Sequence, residues 1–111
     1  MGKYLSQFKK GVLELVVLKV LSSRAMYGYE IAGEANARFD ELGLREGTLY
    51  PILYRLEDDG MVASRWESGH ARSVPKKYYA ITDEGRETLA GAAEQWLRFA
   101  RGVSNILEDE P

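Results

Sequence analysis

The stretch from Arg45 to Thr82 constrains the fold more than any other part of the chain. It reads REGTLYPILYRLEDDG, then MVASRWE, SGHARSVP and KKYYAIT. Leu49, Ile52, Leu53 and Leu56 recur at i, i+3, i+4 and i+7, so a helix beginning near Arg45 turns one apolar face inward. Gly60 stands where a C-cap glycine would stop it. Met61–Glu67 and Lys77–Thr82 then alternate with period two, which predicts two short antiparallel strands. Gly69 and Pro75 supply the turn between them, and Arg72, Lys76 and Lys77 project from it or beside it. A helix followed by a two-stranded basic hairpin has the shape to enter one groove of a duplex and straddle the neighbouring backbone.

The outward face of that helix carries Gly47, Pro51, Tyr54 and Asp58, flanked by Thr48, Tyr50 and Arg55. Glu57, Asp58 and Asp59 crowd its C-terminal end, which must point away from phosphates. Base contact is therefore expected only in the first half, around Gly47, Thr48, Tyr50, Pro51 and Tyr54. Gly47 and Pro51 are poor choices in a helix selected only for stability. Close approach of backbone to DNA is a reason to keep them. No Ser, Thr, Asp or Asn caps the helix, because Arg45 occupies its head.

Upstream, Leu5 to Leu21 reads as one helix with more than one apolar stripe, central to the core or shared with a second subunit. Tyr27 to Phe39 reads as a shorter helix whose buried stripe is Tyr27, Ile31, Ala35 and Phe39. Gly28 and Gly33 work against it, each costing roughly 1 kcal/mol relative to Ala. Tyr29 lies off the stripe, where its hydroxyl either donates to a phosphate or half-packs at the surface. Trp66, in a strand before a tight loop, reads as core or hairpin support.

Thr82 N-caps the last helix, and Asp83 and Glu84 suit the helix dipole in its first turn. Leu89, Ala93, Trp96, Ala100, Val103 and Leu107 form a heptad seam, widened by Ala92, Phe99 and Ile106. Such a helix packs either on a second copy of the chain or on its own domain. At a two-fold interface, paired Trp96 indoles either sandwich a flat apolar ligand or simply fill the seam. Phe8, Val12, Leu15, Ala93, Trp96 and Ala100 are the candidate lining of such a ligand site. Residues 1–82 thus form one unit and residues 83–111 a dimerisation helix.

Charge qualifies the nucleic-acid reading. The 111 residues carry a net charge of −2, yet residues 61–81 hold four Lys/Arg against one acid. The hairpin is a local basic footprint in an acidic protein, or else a solvated loop with a few lysines. Catalysis has little to work with. There is no cysteine and one histidine, His70, in a loop without a second ligand. Gly28 and Gly33 form no phosphate-binding motif. No cofactor and no metal are expected. No signal peptide or membrane span is evident, which fits the cytosol.

GTLYPILYRLEDDGMVASRW, followed by KKYYAITDEGRETL and preceded by YGYEIA, resembles the PadR family of bacterial transcriptional regulators. The single C-terminal helix and the AEQW segment ending at Trp96 resemble the short subfamily that includes multidrug-responsive repressors. The resemblance implies a mainly α fold with a two-stranded β wing: a winged helix-turn-helix plus a C-terminal dimerisation helix. It implies a homodimeric repressor that binds a pseudo-palindromic operator and is released by a small molecule. It points to Tyr29, Thr48, Tyr50, Lys76 and Lys77 as DNA contacts. Three departures stand out. The family's Gly-Arg-Pro-Arg before Lys-Tyr-Tyr is here Ser73-Val74-Pro75-Lys76, one cation fewer, with Arg72 standing close by. The polar cap of the recognition helix is replaced by Arg45, a phosphate-seeking group. Ala100 stands where drug-binding relatives can carry an acid, which removes the counter-charge for a cationic ligand and leaves a planar aromatic one. The other reading is a winged-helix protein-interaction module that has lost DNA binding, supported by the acidic balance and the missing wing arginine.

Overall fold

Hydrophobic patterning places the core where three helices meet one face of a small sheet. The structure is a computed structural model and describes residues 2–68 and 74–110. Helices α1 (Lys3–Lys10) and α2 (Leu13–Leu21) are followed by β1 (Met26–Tyr27), α3 (Gly28–Arg38) and a 3-10 turn at Asp40–Leu42. Helix α4 (Glu46–Asp58), strands β2 (Val62–Glu67) and β3 (Lys76–Ile81), and helix α5 (Asp83–Glu108) complete the chain. The expected mainly α fold with a β wing is present.

Two elements differ from expectation. The first helix is two, because the chain breaks at Gly11 and Val12. None of the residues of α1 is buried, whereas α2 buries Leu13, Val17, Leu18, Val20 and Leu21. The hairpin also gains a third strand. Strand β1 pairs antiparallel with β3, Met26 opposite Tyr79 and Tyr27 opposite Tyr78, giving the order β1-β3-β2. Phe39 leaves the expected buried stripe as well. It is exposed because the backbone turns extended there at the end of α3.

Leu49, Ile52, Leu53 and Leu56 of α4 are all buried against Val17, Leu21, Ile31 and Val62 in one core. Burying each such side chain contributes roughly 1.5–3 kcal/mol. The turn between α3 and α4 is clamped by Asn36. Its amide donates to the Leu44 carbonyl (2.9 Å) and its oxygen accepts from the Leu44 N–H (2.8 Å). Gly60, at φ 76°, takes the left-handed turn that sends the chain from α4 into the wing. The root of the wing is tied to α5 through Thr82. Its hydroxyl accepts from the Gly85 N–H (3.0 Å) and lies 2.6 and 3.0 Å from the carbonyls of Gly60 and Met61.

Candidate nucleic-acid interface

Helix α4 presents Arg45, Gly47, Thr48, Pro51 and Tyr54 outward, because its opposite face is spent on the core. Arg45 is the N-cap residue and makes no side-chain cap bond. Pro51 has no N–H to offer the Gly47 carbonyl one turn back. Tyr50 is half-buried and its ring lies 6.1 Å from that of Tyr54. Its hydroxyl end packs on Gly28 so closely that a Cβ there would overlap it. Burial, then the nearby Glu46 carboxylate, then Tyr54 push the Tyr50 phenol up from its ordinary value. Arg55, on the flank, is held by Glu14 at 3.0 Å.

Period-two alternation sends the adjacent lysines of β3 to opposite faces of the wing. Lys76 lies on the outer face, its ammonium 4.5 Å from the centre of the Tyr27 ring. That ring stacks on Tyr29 (6.3 Å) and meets Tyr78 edge-on (5.5 Å). Tyr29 is 71% exposed at the start of α3. Lys77 lies on the inner face, toward α4. Its ammonium is 4.0 Å from the Glu57 carboxylate and 5.7, 6.0 and 5.5 Å from the ring centres of Tyr54, Trp66 and Tyr79. Glu57 also accepts from the Ser64 hydroxyl (2.5 Å). The C-terminal end of α4 is thereby engaged with the wing, and its carboxylate faces β3.

Trp66 corrects the expectation of a core side chain, since it is 67% exposed; as hairpin support it meets the Lys77 ammonium across the strands. Its cross-strand partner is Lys77, so no large apolar group stands opposite to cover it. Arg72 and His70, and the turn at Gly69, lie outside the described residues.

With the geometry in place, the comparisons with known proteins decide the family. The model of the transcriptional regulator PadR-like family matches residues 17–91, which span α3, α4 and the wing. The chain belongs to the PadR-like family of transcriptional regulators. This PadR-like chain is 30% identical to the transcriptional regulator Rv3488 of Mycobacterium tuberculosis over 99 residues, 87% of this chain and 87% of that protein. A crystal structure of a PadR family transcriptional regulator from Eggerthella lenta matches it with a TM-score of 0.83 at 33% identity, covering 96% of this chain and 91% of the other. A PadR-like transcriptional regulator from Bacillus cereus matches with a TM-score of 0.79 at 32% identity, covering 94% and 99%. The PadR-like family is one of transcriptional regulators and not of enzymes.

The second candidate site of this PadR-like regulator is an apolar groove between α1, α2, α3 and α5, with a volume of about 890 Å³. Phe8, Val12, Leu15, Ala93 and Trp96 line it, and Ala100, one turn further along α5, does not. Among the described residues no helix is long and apolar enough to cross a membrane. Two residues that shape the interface were missed in the sequence. Gly28 bears on Tyr50, and its signal was a helix-breaking residue between two tyrosines. Trp66 shares a face with Lys77, and its signal was the strand period.

Proposed function

We propose that this PadR-like chain is a cytoplasmic, homodimeric, DNA-binding repressor. In this reading the first half of α4 enters the major groove, with Arg45, Gly47, Thr48, Tyr50, Pro51 and Tyr54 at or beside the base edges. The wing follows the adjacent backbone. The observation that carries the proposal is the placement of the two wing lysines: Lys76 over the Tyr27 ring just before α3, and Lys77 between α4 and the wing. Both can neutralise phosphates on either side of one groove, and Tyr29 adds a hydroxyl donor. Arg72 is a further wing cation by its place in the sequence.

Residues 1–82 serve as the DNA-binding unit and 83–111 as the dimerisation helix. A dimer sets two recognition helices on half-sites about one helical turn apart, a pseudo-palindrome. The groove lined by Phe8, Val12, Leu15, Ala93 and Trp96, with Ala100 next to it, is the proposed place for a small planar aromatic effector that releases the operator. Its apolar walls and the indole support a flat ligand.

The test is a titration of labelled duplex from the region upstream of the gene across a range of salt. Affinity falls steeply with salt, and Lys76→Ala lessens the log–log slope by about one. A wild-type protein that shifts no such fragment at low salt supports the protein-interaction module instead. Quenching of indole emission by planar aromatics, lost in Trp96→Ala, tests the effector; quenching that survives the substitution overturns it.

A further inference from the structure

We propose that Trp66 is itself a DNA-contacting residue. Its indole rests on the sugar–phosphate backbone between the groove that takes α4 and the groove that takes the wing, with Lys77 as its cationic partner. The inference rests on the DNA-binding reading above and adds a contact that neither the motif nor the family resemblance supplies.

The placement comes from the pleat. Val62, Ser64 and Trp66 of β2 share one face with Lys77, Tyr79 and Ile81 of β3. At the root of the wing that face is core, with Val62 and Tyr79 buried. At the far end it emerges into solvent as Trp66, on the side turned toward α4. Lys77 stands between the two elements, within cation–π range of both the Trp66 and Tyr54 rings. Tyr54 is itself half-exposed on the outward face of α4. Tyr54, Lys77 and Trp66 thus form one continuous strip from the recognition helix to the wing.

The chemistry of the strip selects its partner. The place between the rings is already filled by an ammonium, so it does not serve as a cage for an external cation. What it offers is an ammonium, shared with the Glu57 carboxylate at 4.0 Å, flanked by flat apolar faces, and an indole N–H donor. A duplex backbone offers the complement: anionic phosphates separated by apolar deoxyribose. Trp66 gives little to the fold in return, being two-thirds exposed opposite a lysine. Its removal should therefore weaken binding more than stability.

The experiment compares the full-length wild type, Trp66→Phe and Trp66→Ala on the same upstream duplex, with thermal melting and indole emission read in parallel. Wild-type emission changes on DNA addition and saturates with the gel shift. Trp66→Phe keeps most of the affinity but loses the emission change. Trp66→Ala weakens binding roughly five- to tenfold with an unaltered melting midpoint. Wild-type binding with no emission change, or Trp66→Ala binding at full strength, overturns the inference while leaving the DNA-binding reading intact. A wild type that binds no DNA overturns both. An affinity loss matched by a fallen melting midpoint in Trp66→Ala assigns the residue to the fold and also overturns it.

Discussion

Tyr79 is fully buried at the root of the wing, and its hydroxyl finds no hydrogen-bond partner among the described residues. An unpaired buried hydroxyl costs roughly 1–3 kcal/mol. Burial, then Tyr54, Glu57 and Tyr50, push its ionisation up from 10.0 to about 12. The folded value lies above the unfolded one, so the unfolded chain gives up this proton first. The stabilising contribution is complete below about pH 10 and is lost as pH rises toward about 12. Across that window it amounts to about 3 kcal/mol. Tyr79→Phe should raise stability by about 1 kcal/mol at pH 8, and its advantage over the wild type should widen by pH 11. Urea unfolding at the two pH values checks both; a gap that stays constant would count against the buried phenol. Gly28 belongs to the same scale. A methyl group there would meet the Tyr50 hydroxyl and lie 2.8 Å from its Cζ. Gly28→Ala should cost roughly 1–3 kcal/mol, and the double variant with Tyr50→Leu should recover much of it. Strict additivity in that cycle would refute the contact.

At the scale of elements, Thr82 joins α4, the wing and α5. Its backbone N–H donates to the Met61 carbonyl (3.0 Å) while its hydroxyl caps α5. Thr82→Val should destabilise the protein by about 1–2 kcal/mol, and Thr82→Ser should retain most of the stability. Amide exchange at Gly85 should rise selectively in the valine variant; uniform exchange across α5 would argue against a local cap. The cap at Thr82, the inward face of α4 and the strand alternation were legible because each depends on residues close in sequence. The break at Gly11 and Val12 was not, since apolar residues continue on both sides of it. What distinguishes α1 from α2 is which of them meets α3 and α4. Phe39 and Trp66 were misread for a related reason: large apolar side chains are often exposed, and only the finished packing decides which. For the interface, the outward face of α4 was readable by counting. Lys76 was expected beside the loop but opens β3, which sets it on the face opposite Lys77; its ring partner Tyr27 on β1 and the Lys77 partner Tyr54 on α4 needed the fold.

The whole molecule is elongated, 64 × 31 × 21 Å, with a radius of gyration of 16.1 Å. A compact chain of this length would have about 13 Å. The excess is α5, whose 26 residues extend about 39 Å. Its first turns pack on α2, where Leu89 joins the core. Its far half carries Phe99, Ile106 and Leu107 at 68%, 73% and 78% exposure. Helix α1 likewise exposes Tyr4 and Phe8. Two helices with uncovered apolar side chains in one chain are the strongest support for the proposed dimer, because one two-fold contact with a second copy would cover both. Ile106→Glu tests this with little cost to the protomer, since that side chain is 73% exposed in its own fold. Burying an isoleucine contributes roughly 1.5–3 kcal/mol, and two copies change at once, so dimer dissociation should rise at least tenfold. Sedimentation velocity should then show a monomer with an unchanged far-ultraviolet spectrum, and operator affinity should fall as the second half-site is lost. An Ile106→Glu protein that sediments like the wild type would move the dimer contact away from the end of α5.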